Sequence, residues 1–170
     1  MTLIGHQISG VAAGLVVGAL LWPDIPGYWL VGLVPAAMAG AVAPDRLEWA
    51  PLGSGRWIAH RTWTHWWPIW VGLLLVGLHA PLPALGAALL LAFAAGGLIH
   101  LLGDWPNPTG IPIWTPLRRH SLNWWRSGER EWLMVPVFLS VGFGLWWPHL
   151  TRWGSPWLAQ VQDWLRPWLG

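Results

Sequence analysis

The chain reads as five uninterrupted apolar blocks, at 8–22, 28–43, 66–78, 83–102 and 132–147, rather than a sequence patterned with one apolar face. A block that is apolar all round belongs in lipid, where a helix satisfies its own backbone hydrogen bonds. The pattern predicts an all-α, polytopic membrane helix bundle of about five transmembrane helices. Several blocks are short. A helix of about sixteen residues covers ~24 Å against a hydrocarbon core of ~30 Å, so helix ends extend into the loops or the bilayer thins around them. Pro35 falls inside the second block, where it should kink the helix, while Pro68 and Pro136 fall near first turns, where a missing N–H does little harm.

The links at 23–27 and 79–82 are too short for anything but antiparallel hairpins, so the two long connections, 44–65 and 105–131, lie together at the opposite end. After the last block, Trp153, Trp157, Leu158, Val161, Trp164, Leu165 and Trp168 recur at the spacing of one helical face. This predicts a Trp-rich interfacial helix over 151–170, lying flat as an anchor beside a transmembrane domain over 1–150.

Composition strengthens the lipid reading. Apolar residues make up 55% and charged residues 9%, with mean hydropathy +0.45, where a soluble domain carries about 25% charge. Of the nineteen Trp only Trp70 sits well inside a block; the others cluster at block ends and in loops, where an indole ring is apolar and its N–H stays wet. The nine basic residues are all Arg and form no dense run, which sets aside a nucleic-acid partner. No Cys is present, so disulfides and thiolate ligands are excluded. Residues 1–7 lack a basic leader, so the first block is expected to remain as a span. Arg46, Arg56, Arg61, Arg118, Arg119, Arg126 and Arg130 belong to the long-loop end and only Arg152 and Arg166 follow the last span, which puts the long loops in the cytoplasm.

Antiparallel threading then has a chemical consequence. His6 opens the first span, Asp45 ends the second, His60 and His65 precede the third, and His100 and Asp104 end the fourth, so all six arrive at one membrane face. Ionisable groups at such depth face a bundle interior or a wet cavity and are functional candidates. Gly10, Gly14 and Gly18 continue the stripe that begins at His6, and Ala92, Gly96, His100 and Asp104 form another, so small residues let helices approach while imidazole and carboxylate point inward. Imidazole and carboxylate without thiolate suit a divalent ion, Zn²⁺ preferred with Mn²⁺ or Fe²⁺ possible, and six groups could serve one ion or two. Such an ion polarises an ester oxygen and makes water nucleophilic at neutral pH.

Plainer readings exist for each residue: His60 and His65 as interfacial hydrogen-bonding groups, His100 with Asp104 as a helix-end pair, Asp45 as part of a Pro-Asp turn, and Arg61 as an interface marker. His79 and His149 belong to the other face, and His120 to a headgroup-facing loop beside Arg118 and Arg119.

The segments Gly5-His6, Pro44-Asp45, His60-Arg61-Thr62-Trp63-Thr64-His65, His100-Leu101-Leu102-Gly103-Asp104 and Gly110-Ile111-Pro112 together resemble the YdjM-like, LexA-regulated, membrane-bound metal-dependent hydrolase family, in that order and from Gly5 to about Pro116. The resemblance implies a multi-pass bacterial inner-membrane protein with metal-ligand roles for His6, Asp45, His60, His65, His100 and Asp104. The chain departs from the family where a second Asp and a His often follow Pro-Asp: Arg46, Leu47 and Glu48 stand here, and Asn107 stands where Thr is common.

The reading that follows is a hydrolase acting on a phosphate-bearing or ester substrate, an anionic small molecule or membrane lipid, at cytoplasmic headgroup level. Glu48 and Asp104 are placed to handle the proton, Arg61 to stabilise developing charge, and Arg61, Arg118 and Arg119 to bind the anion. The alternative is a non-catalytic membrane protein, a transporter or regulatory partner, binding metal or protons through the same cluster. Oligomeric state is not legible.

Overall fold

The computed structural model describes residues 1–22, 24–50 and 55–169, with side chains described to residue 151. Five helices follow the five apolar blocks: α1 (Leu3–Leu21), α2 (Leu30–Arg46), α3 (Trp67–His79), α4 (Ala84–Asp104) and α5 (Glu131–Leu169). The fold is that of a helical membrane protein, and among the described residues four stretches, Leu3–Leu21, Gly27–Arg46, Ala84–Asp104 and Glu131–Thr151, are long and apolar enough to cross a bilayer. The helix α3 is shorter. Its 13 residues cover only ~20 Å.

The second helix runs further than the apolar block suggested. It passes through Pro35 and Pro44, the Leu47 amide closes on the Ala43 carbonyl at 2.9 Å, and Asp45 therefore sits on a helical turn rather than in a Pro-Asp turn. The second long connection holds an element the helical pattern did not announce, an antiparallel hairpin of β1 (Ile111–Thr115) and β2 (Arg118–His120), pairing Ile111 with His120 and Pro112 with Arg119. Gly110 enters it at φ +60°, and a Cβ there would run into the His120 carbonyl, so glycine is required at that turn. The side chains of the expected interfacial tail lie outside the described residues; the backbone of α5 is helical as far as Leu169.

Small residues set how closely the helices meet. A Cβ on Gly10 or Gly14 of α1 would come within 2.7 Å of the Met38 and Val34 Cα atoms of α2. The contact of α2 with α4 is tighter still: a Cβ on Gly40 would overlap the Phe93 carbonyl, and one on Gly96 the Ala37 carbonyl. Between lipid-embedded helices, where hydrophobic burial drives little, such backbone contact is the main source of association. The core is accordingly made of Ala13, Val17, Leu33, Ala37, Ala88, Leu91 and Ala92. On the other side of α4, Gly97 makes room for Trp70 of α3, which is 1% exposed, and whose indole donates to the Thr64 carbonyl at 2.8 Å. Because α3 begins only three residues before Trp70, the turn Trp63–His65 lies beside the last turns of α4.

Replacing Gly96 by Leu should cost more than the ~1–3 kcal/mol of ordinary overpacking, since the obstacle is backbone rather than a movable side chain. Thermal unfolding of the detergent-solubilised protein should show the loss, while Gly72→Leu, where nothing lies within 4 Å of an added Cβ, should leave the midpoint near wild type.

Candidate metal centre

The six histidines and aspartates predicted to gather do so, and by the elements that were expected to bring them. His6 is carried by α1, Asp45 by the last turn of α2, His60 and His65 by the first long connection, and His100 and Asp104 by the last turn of α4. His6, His65, His100 and Asp104 are at most 1% exposed, whereas the side chains of Asp45 and His60 are 37% and 36% exposed and form the open wall. Four atoms stand closest. His65 Nε2 lies 3.1 Å from His100 Nε2, 3.4 Å from Asp45 Oδ1 and 3.8 Å from Asp104 Oδ2. His100 Nε2 lies 3.9 Å from Asp45 Oδ1 and 3.6 Å from Asp104 Oδ2. His6 stacks on His100 with ring centroids 3.7 Å apart, and its Nε2 is 3.4 Å from Asp104 Oδ1.

Hydrogen-bond bookkeeping says which ring nitrogens face one another. His100 Nδ1 is 2.6 Å from the Ala41 carbonyl oxygen, which can only accept, so Nδ1 carries the proton and Nε2 presents its lone pair. His65 Nδ1 is 3.1 Å from Glu48 Oε1 and 3.1 Å from the Thr64 hydroxyl, whose own hydrogen goes to Glu48, so Nδ1 is likewise the protonated nitrogen and Nε2 turns toward that of His100. Two lone pairs 3.1 Å apart in a buried site repel unless a cation, a proton or a metal ion, stands with them. The pKa of His65 reflects that demand: burial opposes charging the ring, but the neighbouring carboxylates of Asp45, Glu48 and Asp104 outweigh it and raise the value. Among the described residues, both ring nitrogens of His6, the Ser9 hydroxyl, Asp45 Oδ1 and Arg61 Nε are buried without a hydrogen-bond partner, so His6 and Asp45 have acceptor atoms left that could hold a metal ion. Among the described residues, Asp45, Glu48, His60 and His65 form one group that could hold a metal ion, and His6, His100 and Asp104 another.

Around these groups sits a shell of hydrogen bonds. Glu48 is fully buried; its Oε1 accepts from the Arg61 amide at 2.8 Å and the Thr64 hydroxyl at 3.2 Å as well as from His65, and its Oε2 lies 2.6 Å from His60 Nδ1 and 3.5 Å from Arg56 Nε. Burial alone would raise the Glu48 pKa, but the bonds from His65, the Arg61 amide and His60 hold it down to about 2. Arg61 is 5% exposed and in the left-handed region, φ 56°, a conformation that Glu48 stabilises through the amide. Its guanidinium pairs with Asp104 Oδ2 at 2.6 Å, contacts the Thr109 hydroxyl, and donates to the Gly110 carbonyl at 3.3 Å. The α-ammonium of Met1 holds the other oxygen of Asp104.

The remaining expected residues divide by position. Arg119 reaches the rim, its Nη2 donating to the His60 carbonyl at 2.8 Å, while Arg118 is exposed on the same strand and His120 receives the Trp105 indole N–H at 3.2 Å. His149 packs against Trp22 and Trp146 at the far end of the bundle, where His79 also lies exposed. Thr64, Thr109 and Ser9 escaped the sequence reading. Thr64 lies inside the His60–His65 segment and Ser9 one turn after His6, so helical spacing could have flagged Ser9; nothing local marks Thr109.

An antiparallel helical bundle that buries a histidine and carboxylate cluster at one end defines a polytopic membrane protein with groups able to hold a metal ion. The chain belongs to the family described as YdjM inner membrane protein, whose model matches residues 1–161. It is similar to the inner membrane protein YdjM of Escherichia coli (strain K12) and to that of Shigella flexneri, each 27% identical over 186 residues, with 95% of this chain and 93% of the relative covered. No solved structure matches it.

Removing the Arg61 guanidinium leaves the buried Asp104 short of a cation, and breaking such a pair costs about 3–5 kcal/mol. Arg61→Met should therefore lower the thermal midpoint strongly, and Arg61→Lys should recover only part of it, since an ammonium cannot span Asp104, Thr109 and Gly110 together.

Proposed function

We propose that the protein is a metal-dependent hydrolase of the inner membrane, with His65, His100, Asp45 and Asp104 as the inner ligands and His6 and His60 completing the set. One observation carries this reading. The five separations measured among those four donor atoms run from 3.1 to 3.9 Å. The edge of a tetrahedron of ligands ~2.05 Å from a zinc ion is ~3.4 Å. Nitrogen and oxygen donors fit Zn²⁺ first and Mn²⁺ or Fe²⁺ next. Such an ion supplies a Lewis acid for an ester or phosphoester oxygen and a nucleophile from water at neutral pH.

The chain's own residues divide the remaining work. Asp45 and His60 form the half-exposed wall, so substrate enters there, and Asp45 is the carboxylate that can take a proton from that side. Arg119 stands beside His60 and Arg118 next to it, placed to pair with an anionic group. Arg61 holds Asp104 in place rather than meeting the substrate directly, because its donors are already taken by Asp104, Thr109 and Gly110. On the neighbouring face of the same α4 turns, a cleft of about 430 Å³ lies between Trp67, Leu98, Leu102, Trp105, Ile113 and Trp114, with no polar lining. A cleft of that size and character accepts an apolar chain, which supports a lipid or lipid-linked substrate. The Arg bias puts this end in the cytoplasm. A transporter would need polar groups continuing across the bilayer, and the buried interior of α1, α2 and α4 beyond His6, Ser9, Asp45, His100 and Asp104 is apolar or glycine among the described residues.

The test is hydrolysis by purified protein, reloaded with Zn²⁺ or Mn²⁺, of phosphatidylglycerol and of a neutral diacylglycerol. Turnover should require the divalent ion and vanish in His100→Ala, and Arg119→Gln should lose about tenfold on the anionic substrate only, the scale of one charge-assisted hydrogen bond. Metal binding without turnover on either substrate would favour the non-catalytic alternative.

A further inference from the structure

Glu48 is a fully buried carboxylate with two imidazoles on it. A carboxylate offers only acceptors, so every nitrogen turned to it has to bring the proton. His60 Nδ1 at 2.6 Å from Oε2 and His65 Nδ1 at 3.1 Å from Oε1 are then both N–H, and in each ring it is Nε2 that remains for other work. For His65 that other work is visible: its Nε2 is the atom facing Asp45, His100 and Asp104. The carboxylate cannot turn away from this task. Oε1 also accepts from the Arg61 amide and the Thr64 hydroxyl, and Oε2 also faces Arg56 Nε.

We propose that Glu48 is a positioning residue that fixes His60 and His65 as Nδ1–H rings and so directs Nε2 of His65 into the metal centre, acting on the ion only through those rings. The effect on metal affinity rests on the proposed function above; the fixed ring state does not. Carboxylates that hold the far nitrogen of a metal-binding histidine set both its orientation and its basicity. Glu48 is thereby neither the proton carrier nor a ligand. Its two oxygens meet both rings at Nδ1, and in His65 the opposite nitrogen, Nε2, is the one that converges on Asp45, His100 and Asp104.

The substitution Glu48→Gln separates the two rings. Three donors converge on Oε1, so the amide oxygen of Gln stays there and His65 keeps its Nδ1–H. The amide N–H₂ then replaces Oε2 opposite His60, where it can only donate, so His60 must accept at Nδ1 and move its proton to Nε2. The experiment is ¹⁵N NMR of histidine-labelled protein in nanodiscs, without metal. Wild type should show protonated Nδ1 in both His60 and His65; Glu48→Gln should show His60 switched to Nε2–H and His65 unchanged. Titration of the two proteins with Zn²⁺ should then give a 10–100-fold weaker Kd for the variant, the range expected for an outer partner of ligating histidines. Unprotonated Nδ1 in wild type, or a His60 that does not switch in the variant, would overturn the proposal, and so would Zn²⁺ contacting Nδ1 of either ring. Correct ring states in a wild type that binds no Zn²⁺ would sustain the positioning role while removing the hydrolase reading.

Discussion

The close contact of α2 with α4 across Gly40 and Gly96 is the constraint on which the site depends. With no side chain between the backbones, the Ala41 carbonyl comes within reach of His100 Nδ1, and that one hydrogen bond of 2.6 Å fixes the proton on the outer nitrogen. The inner nitrogen then has to face His65. In the hydrocarbon region, burial of apolar surface gives little force to bring helices together, so shape does it, and the same small residues that allow packing also bring the polar end groups into register.

The shortness of α3 is the second half of the arrangement. A helix matched to the bilayer would have carried the preceding loop above the bundle. Because α3 covers only ~20 Å, the His60–Trp66 turn drops to the depth of His100, with the Trp70 indole tying it to the bundle through the Thr64 carbonyl. Polar groups at that depth require partners, and they find them in one another: Glu48 organises the first connection, Arg61 ties it to Asp104 and to the turn before β1, and the hairpin closes over the side. Beyond this end, the buried faces of α1, α2 and α4 are apolar or glycine among the described residues.

Much of this was legible in the sequence because lipid enforces simple rules. Apolar blocks predicted the helices, link lengths their antiparallel order, and the four-residue spacing of Gly10, Gly14 and Gly18 with His6 the inward face of α1, where all four are buried. Less legible were features set by tertiary contact. The hairpin 111–120 has strands of only five and three residues, too few for a periodic pattern. Asp45 read as a turn residue because Pro44 usually ends helices, yet the loss of one backbone donor is tolerated when the helix is packed on both sides. Arg61 reads as a residue for an anion because an isolated guanidinium near candidate ligands suggests one; its partners in the fold, Asp104, Thr109 and Gly110, come from over forty positions away and leave no local sign. Glu48 reads in the sequence as a proton carrier, and only the geometry shows a ring nitrogen beside each of its oxygens.

X-ray absorption spectroscopy of the Zn²⁺-loaded protein in nanodiscs tests the central claim most directly, because it reads the donors around the ion without need of a substrate. The account predicts a four- to five-coordinate ion with two or three imidazole nitrogens and one or two carboxylate oxygens at ~2.0–2.2 Å, and loss of an imidazole shell in His65→Ala. An all-oxygen shell, or a spectrum unchanged by His65→Ala, would contradict it.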